Sequence, residues 1–185
     1  NAAQAFAWAG ARDGVHVVVT MPAAAVRSKV DACRGYGAEV ILHGATIGET
    51  ADHVAKVRAE RDLVYVHPFN DADLIAGHGS AGLEILEDLP TVDVVVVGIG
   101  GGGLISGIAA AIKAVRPGTR VIGVEPEGSD AMARALAAGE VVRLQPATVA
   151  DGLAAPFAGD RTLAMVQRSV DEVIPVPDAE ILGGL

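Results

Sequence analysis

The sequence predicts an α/β protein made of open parallel sheets with helices on both faces. Short β-branched runs alternate with segments of helical periodicity along the 185 residues. Residues 94–97 are four consecutive valines, which is typical of a strand buried on both faces of a parallel sheet. The intervening helical segments are long enough to connect parallel strands.

Glycine and proline mark the ends of most predicted elements. We predict strands over residues 15–20, 39–42, 63–67, 93–97, 120–124 and 172–176. We predict helices over residues 2–13, 23–36, 46–61, 72–89, 104–115, 130–138 and 161–169, with another beginning at 178. In the helix over 46–61, Thr46 and Glu49 have the spacing of a capping box. The valine strand looks more central than the three before it, so we expect a domain boundary at residues 67–70.

Composition excludes several classes of partner. The formal net charge of −9 argues against a nucleic-acid surface or an anionic membrane surface, because both select clustered Lys and Arg. No apolar run is long enough to cross a bilayer. The single cysteine, Cys33, excludes an internal disulfide and fits a reducing compartment, so we expect a cytoplasmic protein.

The most informative segment follows the valine strand. It reads Gly98, Ile99, Gly100, Gly101, Gly102, Gly103, Leu104, and a predicted helix comes next. The N–H groups of consecutive glycines can converge on one anion, and the N-terminus of a helix favours negative charge. A phosphate is the natural ligand, whereas the alternative is a tight strand-to-helix turn that binds nothing.

The local pattern leaves open which phosphate compound binds. Residues 98–103 satisfy G-x-G-x-x-G, and Glu125 ends the next predicted strand about twenty residues later. Strand, glycines, helix, strand and acid together make the fingerprint of a dinucleotide site. An NAD-binding domain therefore remains an alternative at this point.

Several segments in order resemble one known family. They are residues 1–5, 18–22, 36–40, 67–71, 75–80, 100–107, 123–126 and 150–154. Together they resemble the threonine dehydratase and serine racemase family, whose members depend on pyridoxal phosphate (PLP) and have the tryptophan-synthase-β-like fold type II. The resemblance covers nearly the whole chain, and it places PLP ahead of NAD.

The resemblance implies an incomplete two-lobed structure. Residues 1–68 would be part of a small mobile lobe, and residues 69–185 part of the large lobe that binds the PLP phosphate. We expect a fragment that lacks both the upstream segment with the PLP lysine and the C-terminus. Lys29, Lys56 and Lys113 lie in helical patterns without that context, and each is expected to be a solvated surface charge.

The resemblance also implies site residues. Gly100, Gly101, Gly102, Gly103 and Leu104 would bind the cofactor phosphate. Asn1 would contact the PLP 3′-oxygen, and it also fits the N-cap of the first helix. Asp151 and Gly152 would border the cofactor ring, or Asp151 would cap a turn. No catalytic residue of the family lies within the chain.

Glu125 has three interpretations. It could bind a ribose, serve as a structural carboxylate, or belong to the cation site of some family members, which would hold Mg²⁺ or Ca²⁺. That site would use Glu125, the carbonyl of Ser129 and an acid at position 131, where this chain has Ala131. A lone carboxylate with one carbonyl binds a hard cation poorly.

The family chemistry predicts the function. The whole protein would be a PLP-dependent ammonia-lyase that removes the β-hydroxyl of L-threonine or L-serine, giving a 2-oxo acid and ammonia. It would be a homo-oligomer acting on small amino acids, and the fragment alone would be inactive. Serine racemase, hydroxyaspartate lyase and threonine synthase remain alternatives within the family. A further alternative is a non-catalytic relative that kept the fold but lost the PLP lysine.

Overall fold

The chain folds into two compact units, Asn1–Val66 and His67–Leu185. The computed structural model describes residues 1–45 and 47–184, without the side chains of residues 47 and 48. The predicted capping residue Thr46 therefore lies outside the described residues. Both units contain parallel strands flanked by helices, as the alternating sequence pattern predicts.

The first unit has a two-stranded parallel sheet, with Val18 of β1 opposite Glu39 of β2. Its strands are β1 (Val18–Met21) and β2 (Glu39–Leu42), and its helices are α1 (Ala2–Asp13), α2 (Arg27–Gly35) and α3 (Ile47–Arg61). Gly14 ends α1 with φ of +68°, in the left-handed region that glycine tolerates. The core of this unit is small and aliphatic, and consists of Ala7, Val19, Met21, Val30, Cys33 and Ala38.

The second unit has a three-stranded parallel sheet in the order β3-β4-β5. Its strands are β3 (Val94–Gly98), β4 (Arg120–Pro126) and β5 (Glu172–Val176). Its helices are α4 (Ala72–Asp88), α5 (Gly103–Val115), α6 (Ala131–Ala138), α7 (Asp160–Ser169) and α8 (Asp178–Gly183), with short 3₁₀ turns at Glu127–Ser129 and Asp151–Leu153. None of the helices in the described part of the chain is both long and apolar enough to span a membrane.

The prediction of a strand over residues 63–67 is wrong. The segment has no regular secondary structure and lies in neither sheet, and the Leu63 N–H donates to the carbonyl of Arg58 at the end of α3. Val64 is 91% exposed. A β-branched run has the propensity for a strand, but it becomes one only where a neighbouring strand pairs with its backbone.

The valine strand is also less buried than predicted. Val95 and Val97 are buried, whereas Val94 is 43% and Val96 is 62% exposed. Among the described residues β3 pairs with β4 alone, so it lies at the edge of the sheet and not at its centre. Alternating side chains point to opposite faces, and in this chain elements cover only one face of β3.

Lys113 is not the solvated surface charge that the sequence suggested. Its Nζ lies 2.8 Å from Asp171 Oδ2 and donates to the carbonyl of Thr119 at 2.8 Å. The same Asp171 oxygen accepts the N–H of Val121 at 2.7 Å. The lysine thus ties α5 to the loops at the start of β4 and β5.

Glycine allows α4 and α5 to pack backbone against backbone. A Cβ at Gly107 would collide with the Ile75 carbonyl oxygen and would lie 2.7 Å from Cβ of His78. A Cβ at Gly82 would lie 2.8 Å from the carbonyl oxygen of Ile108. Because α5 follows directly from the glycine loop, this contact also fixes where the loop ends.

We expect Gly107→Ala to destabilise the fold by about 2 kcal/mol or more, because a methyl group forced against the backbone causes overpacking. Gly77→Ala is the matched control, since Gly77 is also in a helix but a Cβ there would meet nothing within 4 Å. The control should raise stability by about 0.5–1 kcal/mol through helix propensity. Urea unfolding of both variants measures the difference. Equal stabilities would show that the two helices do not pack this closely.

Candidate functional site

The glycine loop leaves the carboxyl end of β3 and enters the N-terminus of α5. Gly98 ends the strand opposite Val124 of β4, and the Ile99 N–H donates to the Val124 carbonyl at 2.8 Å. Gly102 is the N-cap of α5 and has φ of +92°, a conformation that residues with a Cβ rarely adopt. The loop therefore lies at the edge of the parallel sheet where ligands of open α/β folds bind.

Six consecutive N–H groups of this loop have no acceptor in the described part of the chain. They belong to Gly100, Gly101, Gly102, Gly103, Leu104 and Ile105, and the first intrahelical bond runs from Ser106 N to the Gly102 carbonyl. Gly101 to Gly103 and Ile105 are buried. Buried N–H groups are almost always hydrogen-bonded, so this row calls for an acceptor from outside the chain. An anion at the N-terminus of α5 would fit it.

The protein fills the space behind the loop. A Cβ at Gly101 would collide with the Phe69 ring, and one at Gly103 would lie 2.8 Å from the Phe69 carbonyl oxygen. A Cβ at Gly102 would lie 2.6 Å from Cε of Met132 and 2.9 Å from Thr162. Packing alone thus requires glycine at three of the four positions. The acceptorless N–H groups, rather than the glycine count, are what indicate an anion.

Two hydroxyl groups bind consecutive carbonyls of the loop. Thr162 Oγ1 in α7 donates to the Gly101 carbonyl at 2.7 Å, and Ser106 Oγ donates to the Gly102 carbonyl at 2.7 Å. Neither hydroxyl has a measurable exposed surface, since both residues are 0% exposed. Sequence reasoning missed Thr162 because it lies 61 residues from the loop and belongs to no local motif.

Phe69 was also missed as part of the site. Residues 67–71 looked like a connection, but the Phe69 ring lies behind the loop and makes an edge contact with Phe157 at 5.4 Å between centroids. His67 Nδ1 accepts the N–H groups of Asn70 at 3.0 Å and Phe69 at 3.3 Å, which shapes the turn that presents this ring. Burial lowers the His67 pKa, which keeps Nδ1 available as an acceptor.

The segment of Asp151–Leu153 borders the loop from another side. A Cβ at Gly100 would make ordinary contacts with Leu153, at 3.4 Å from its Cα, and with the Gly152 carbonyl at 3.7 Å. Ser129 Oγ holds this segment in place by donating to the Leu153 carbonyl at 3.0 Å. The structure therefore brings Gly152 and Leu153 next to Gly100 of the glycine loop.

Asn1 lies in the first unit, where it is the N-cap residue of α1. Its carbonyl accepts the Ala5 N–H at 3.1 Å, but its side chain makes no capping hydrogen bond. The side-chain cap expected from the sequence is therefore not formed. The Asn1 side chain therefore takes no part in the hydrogen bonds of α1.

Glu125 is a structural carboxylate. It is 0% exposed at the end of β4, and its two oxygens accept the N–H groups of Met132 at 2.9 Å and Ala133 at 2.8 Å. It therefore binds the N-terminus of α6 and cannot reach a ribose hydroxyl, so the dinucleotide interpretation of this residue is wrong. Burial raises the Glu125 pKa to about 7, and the two N–H bonds oppose that rise.

The residues around Glu125 do not fit a divalent cation. Both of its oxygens are used by α6, and Ala131 has no side-chain oxygen where the cation site needs an acid. Hard cations need several oxygen ligands with more than one negative charge. The described residues also contain no group of three His, Cys, Asp or Glu side chains that could hold a metal.

Comparison with known proteins gives one consistent result. The family model described as "Pyridoxal-phosphate dependent enzyme" matches residues 1–185. An L-threonine ammonia-lyase of Thermotoga maritima is 43% identical over 98% of this chain and 45% of its own length. A serine racemase of Oryza sativa subsp. indica is 41% identical over all of this chain and 55% of its own length. The chain thus spans about half the length of these curated relatives.

Solved structures agree with this comparison. Maize serine racemase matches with a TM-score of 0.93 and 40% identity, over 98% of this chain and 55% of that one. The processed form of threonine deaminase isoform 2 from Solanum lycopersicum matches with a TM-score of 0.89 and 37% identity, over 96% of this chain and 52% of that one.

The raised pKa of Glu125 predicts a pH-dependent stability. Between its ordinary pKa of 4.5 and about 7, the folded state keeps a proton that the unfolded state has lost, so stability falls as pH rises. From pH 6 to pH 8 the loss from this group should be about 1 kcal/mol. Glu125→Gln should remove that decline in urea unfolding measured at the two pH values. The control is Glu127→Gln, an exposed neighbour, which should keep it. If the stability of Glu125→Gln fell from pH 6 to pH 8 as much as that of the wild type, the assignment of this pH dependence to Glu125 would be contradicted.

Proposed function

The chain belongs to the family of pyridoxal-phosphate dependent enzymes, and from that premise we propose that the glycine loop binds the phosphate of PLP. The observation that carries the proposal is the row of six N–H groups from Gly100 to Ile105 without a protein acceptor. A phosphate has several strong acceptor oxygens and a negative charge that suits the N-terminus of α5. The N–H of Leu104 belongs to this row, and we propose that it also binds the phosphate.

The residues present fit the cofactor. When bound, PLP acts as the electron sink that stabilises a carbanion at the α-carbon of an amino acid. We propose that the second unit contributes the loop that binds the phosphate, and that Asp151 and Gly152 lie along the cofactor ring. We further propose that Asn1 contacts the 3′-oxygen, and the support for this is its place in the family motif. The cation expected at Glu125 is not part of the proposal, because its donor set does not fit one.

For the whole protein we propose an ammonia-lyase that eliminates the β-hydroxyl of L-threonine or L-serine. The support is the identity of 43% to an L-threonine ammonia-lyase over 98% of the chain. Serine racemase is the second candidate, because a rice serine racemase is 41% identical over the full 185 residues. None of the lysines fits a cofactor lysine by its sequence context, and Lys113 is engaged by Asp171. We therefore expect the 185-residue chain alone to be inactive.

The remaining expectations belong to the same proposal. We propose that residues 1–68 are part of a small mobile lobe and residues 69–185 part of the large phosphate-binding lobe. We propose that the whole protein is a homo-oligomer in the cytoplasm. The single cysteine of the 185 residues, Cys33, is buried in the core of the first unit, which is compatible with a reducing compartment.

Binding of pyridoxine 5′-phosphate to the 185-residue chain tests the phosphate site. This analogue lacks the aldehyde and cannot react with surface lysines. The chain should bind it at least ten times more tightly than pyridoxine, which lacks the phosphate. Gly102→Ala should abolish the preference, since a Cβ there collides with Met132 and strains a φ of +92°. Gly118→Ala, where a Cβ meets nothing within 4 Å, is the control.

Two results of that binding experiment would contradict the phosphate site. The first is equal affinity of the wild-type chain for the two compounds. The second is an unchanged preference in a folded Gly102→Ala variant. Fluorescence titration of the analogue, with a thermal melt of each variant, provides both readouts.

The reaction is tested on the product of the complete open reading frame that encodes these residues. We expect visible absorption from a lysine-bound pyridoxal group, fixed by borohydride, and formation of 2-oxobutanoate from L-threonine. Production of D-serine from L-serine without 2-oxo acid would favour the racemase instead. If no lysine binds the cofactor, neither activity survives and a non-catalytic relative is the remaining candidate.

A further inference from the structure

A distant helix contacts the glycine loop at the Gly101 carbonyl, which also accepts the Gly159 N–H at 3.5 Å. Thr162 Oγ1 donates to the carbonyl of Gly101 at 2.7 Å, and the two residues are 61 positions apart. The hydroxyl also lies 3.1 Å from the Gly159 carbonyl, but it has one hydrogen and the bond to Gly101 is the shorter. No requirement of α7 itself explains a bond that leaves the helix for the loop.

Because the peptide bond is planar, this contact also constrains the direction in which the next N–H group of the loop points. In a trans peptide the C=O of one residue and the N–H of the next point in opposite directions. When Thr162 fixes the Gly101 carbonyl, the Gly102 N–H must point away from α7. Ser106 fixes the Gly102 carbonyl at 2.7 Å in the same way, so the Gly103 N–H points away from Ser106. Both of these N–H groups belong to the row without protein acceptors.

The support for Thr162 is itself rigid. Thr162 is 0% exposed, in the first turn of α7. The start of that helix is tied to residue 70, because Asn70 Nδ2 donates to Asp160 Oδ1 at 2.6 Å and the Arg161 N–H donates to Asn70 Oδ1 at 3.1 Å. Asn70 directly follows Phe69, whose ring lies behind Gly101. The carbonyl side of the loop is therefore held from two directions.

We propose that Thr162 is a positioning residue for the phosphate site, and that its hydroxyl turns the Gly102 N–H toward the phosphate with Ser106 as the second such group. The assignment rests on the proposed function, because it presumes that the loop binds a phosphate. Ser106 alone would be less informative, since a serine in a helix often donates to the carbonyl four residues earlier. The Thr162 hydroxyl has a local acceptor in the Gly159 carbonyl at 3.1 Å, but its shorter bond, to Gly101, has no local explanation.

The test compares Thr162→Val with Thr162→Ser in the 185-residue chain. Valine keeps the shape and removes the hydroxyl, whereas serine keeps the hydroxyl. Thr119→Val is the matched control, because Thr119 is 3% exposed and its hydroxyl also donates to a backbone carbonyl, that of Val92, at 2.9 Å. The readouts are the Kd of pyridoxine 5′-phosphate, competition by inorganic phosphate, and the melting temperature.

We expect Thr162→Val to weaken binding of pyridoxine 5′-phosphate and of inorganic phosphate by the same factor, about tenfold, because the lost interaction concerns the phosphate alone. Thr162→Ser should bind within about twofold of wild type. Thr119→Val should lower the melting temperature as Thr162→Val does but leave both affinities unchanged. This contrast separates a positioning role from a loss of stability.

Two different results would overturn the assignment. If wild type binds both probes and Thr162→Val binds them equally well, Thr162 does not position the loop and the proposed phosphate site stands. If wild type binds neither probe, the phosphate site fails and the assignment fails with it. Should Thr162→Val not fold, Ser106→Ala and Thr162→Ser decide: unchanged phosphate affinity in Ser106→Ala, or a tenfold loss in Thr162→Ser, would contradict the role of the hydroxyls.

Discussion

A row of six N–H groups without protein acceptors, four of them in buried residues, is the constraint on which the rest of the second unit depends. Backbone donors removed from water cost free energy unless something accepts from them. Here the loop cannot rotate to satisfy them internally, because Thr162 and Ser106 hold the carbonyls of Gly101 and Gly102. Phe69 closes the space behind. The protein thus holds a row of N–H groups without protein acceptors in a fixed orientation, and such preorganisation favours binding of a compact anion.

Close packing against neighbouring elements continues along α5. The helix that begins at the glycine loop packs against α4 through Gly107, where a side chain would meet the backbone of α4. Glu125 adds a second fixed point by holding the N-terminus of α6, whose Met132 lies against Gly102. The loop is therefore surrounded by elements that are themselves fixed by close packing or buried hydrogen bonds. Its shape is a property of the whole unit, although its sequence looks like a flexible run of glycines.

Sequence reasoning correctly predicted the helices and strands that the local sequence pattern determines. Most helices and strands lie where periodicity and glycine or proline placed them, and Glu39–Leu42 and Glu172–Val176 match within a residue. Sequence reasoning failed where strand pairing determines the structure. Residues 63–67 have strand propensity but pair with no strand, and β3 lies at the edge of its sheet. In the site, the glycine loop was predictable from its motif. Thr162 and Phe69 were not, because their roles arise from contacts with residues far away in sequence.

The contacts that shape the glycine loop lie in one unit of the chain. Every side chain that shapes the donor row belongs to the unit His67–Leu185, from Phe69 near its start to Thr162 in α7. The unit contains one lysine, Lys113, and Asp171 engages it. The proposed phosphate recognition would use hydrogen bonds from the loop and no covalent bond to the cofactor. The donor surface on which the proposed phosphate site rests is therefore contained in a chain that spans about half of its relatives' length.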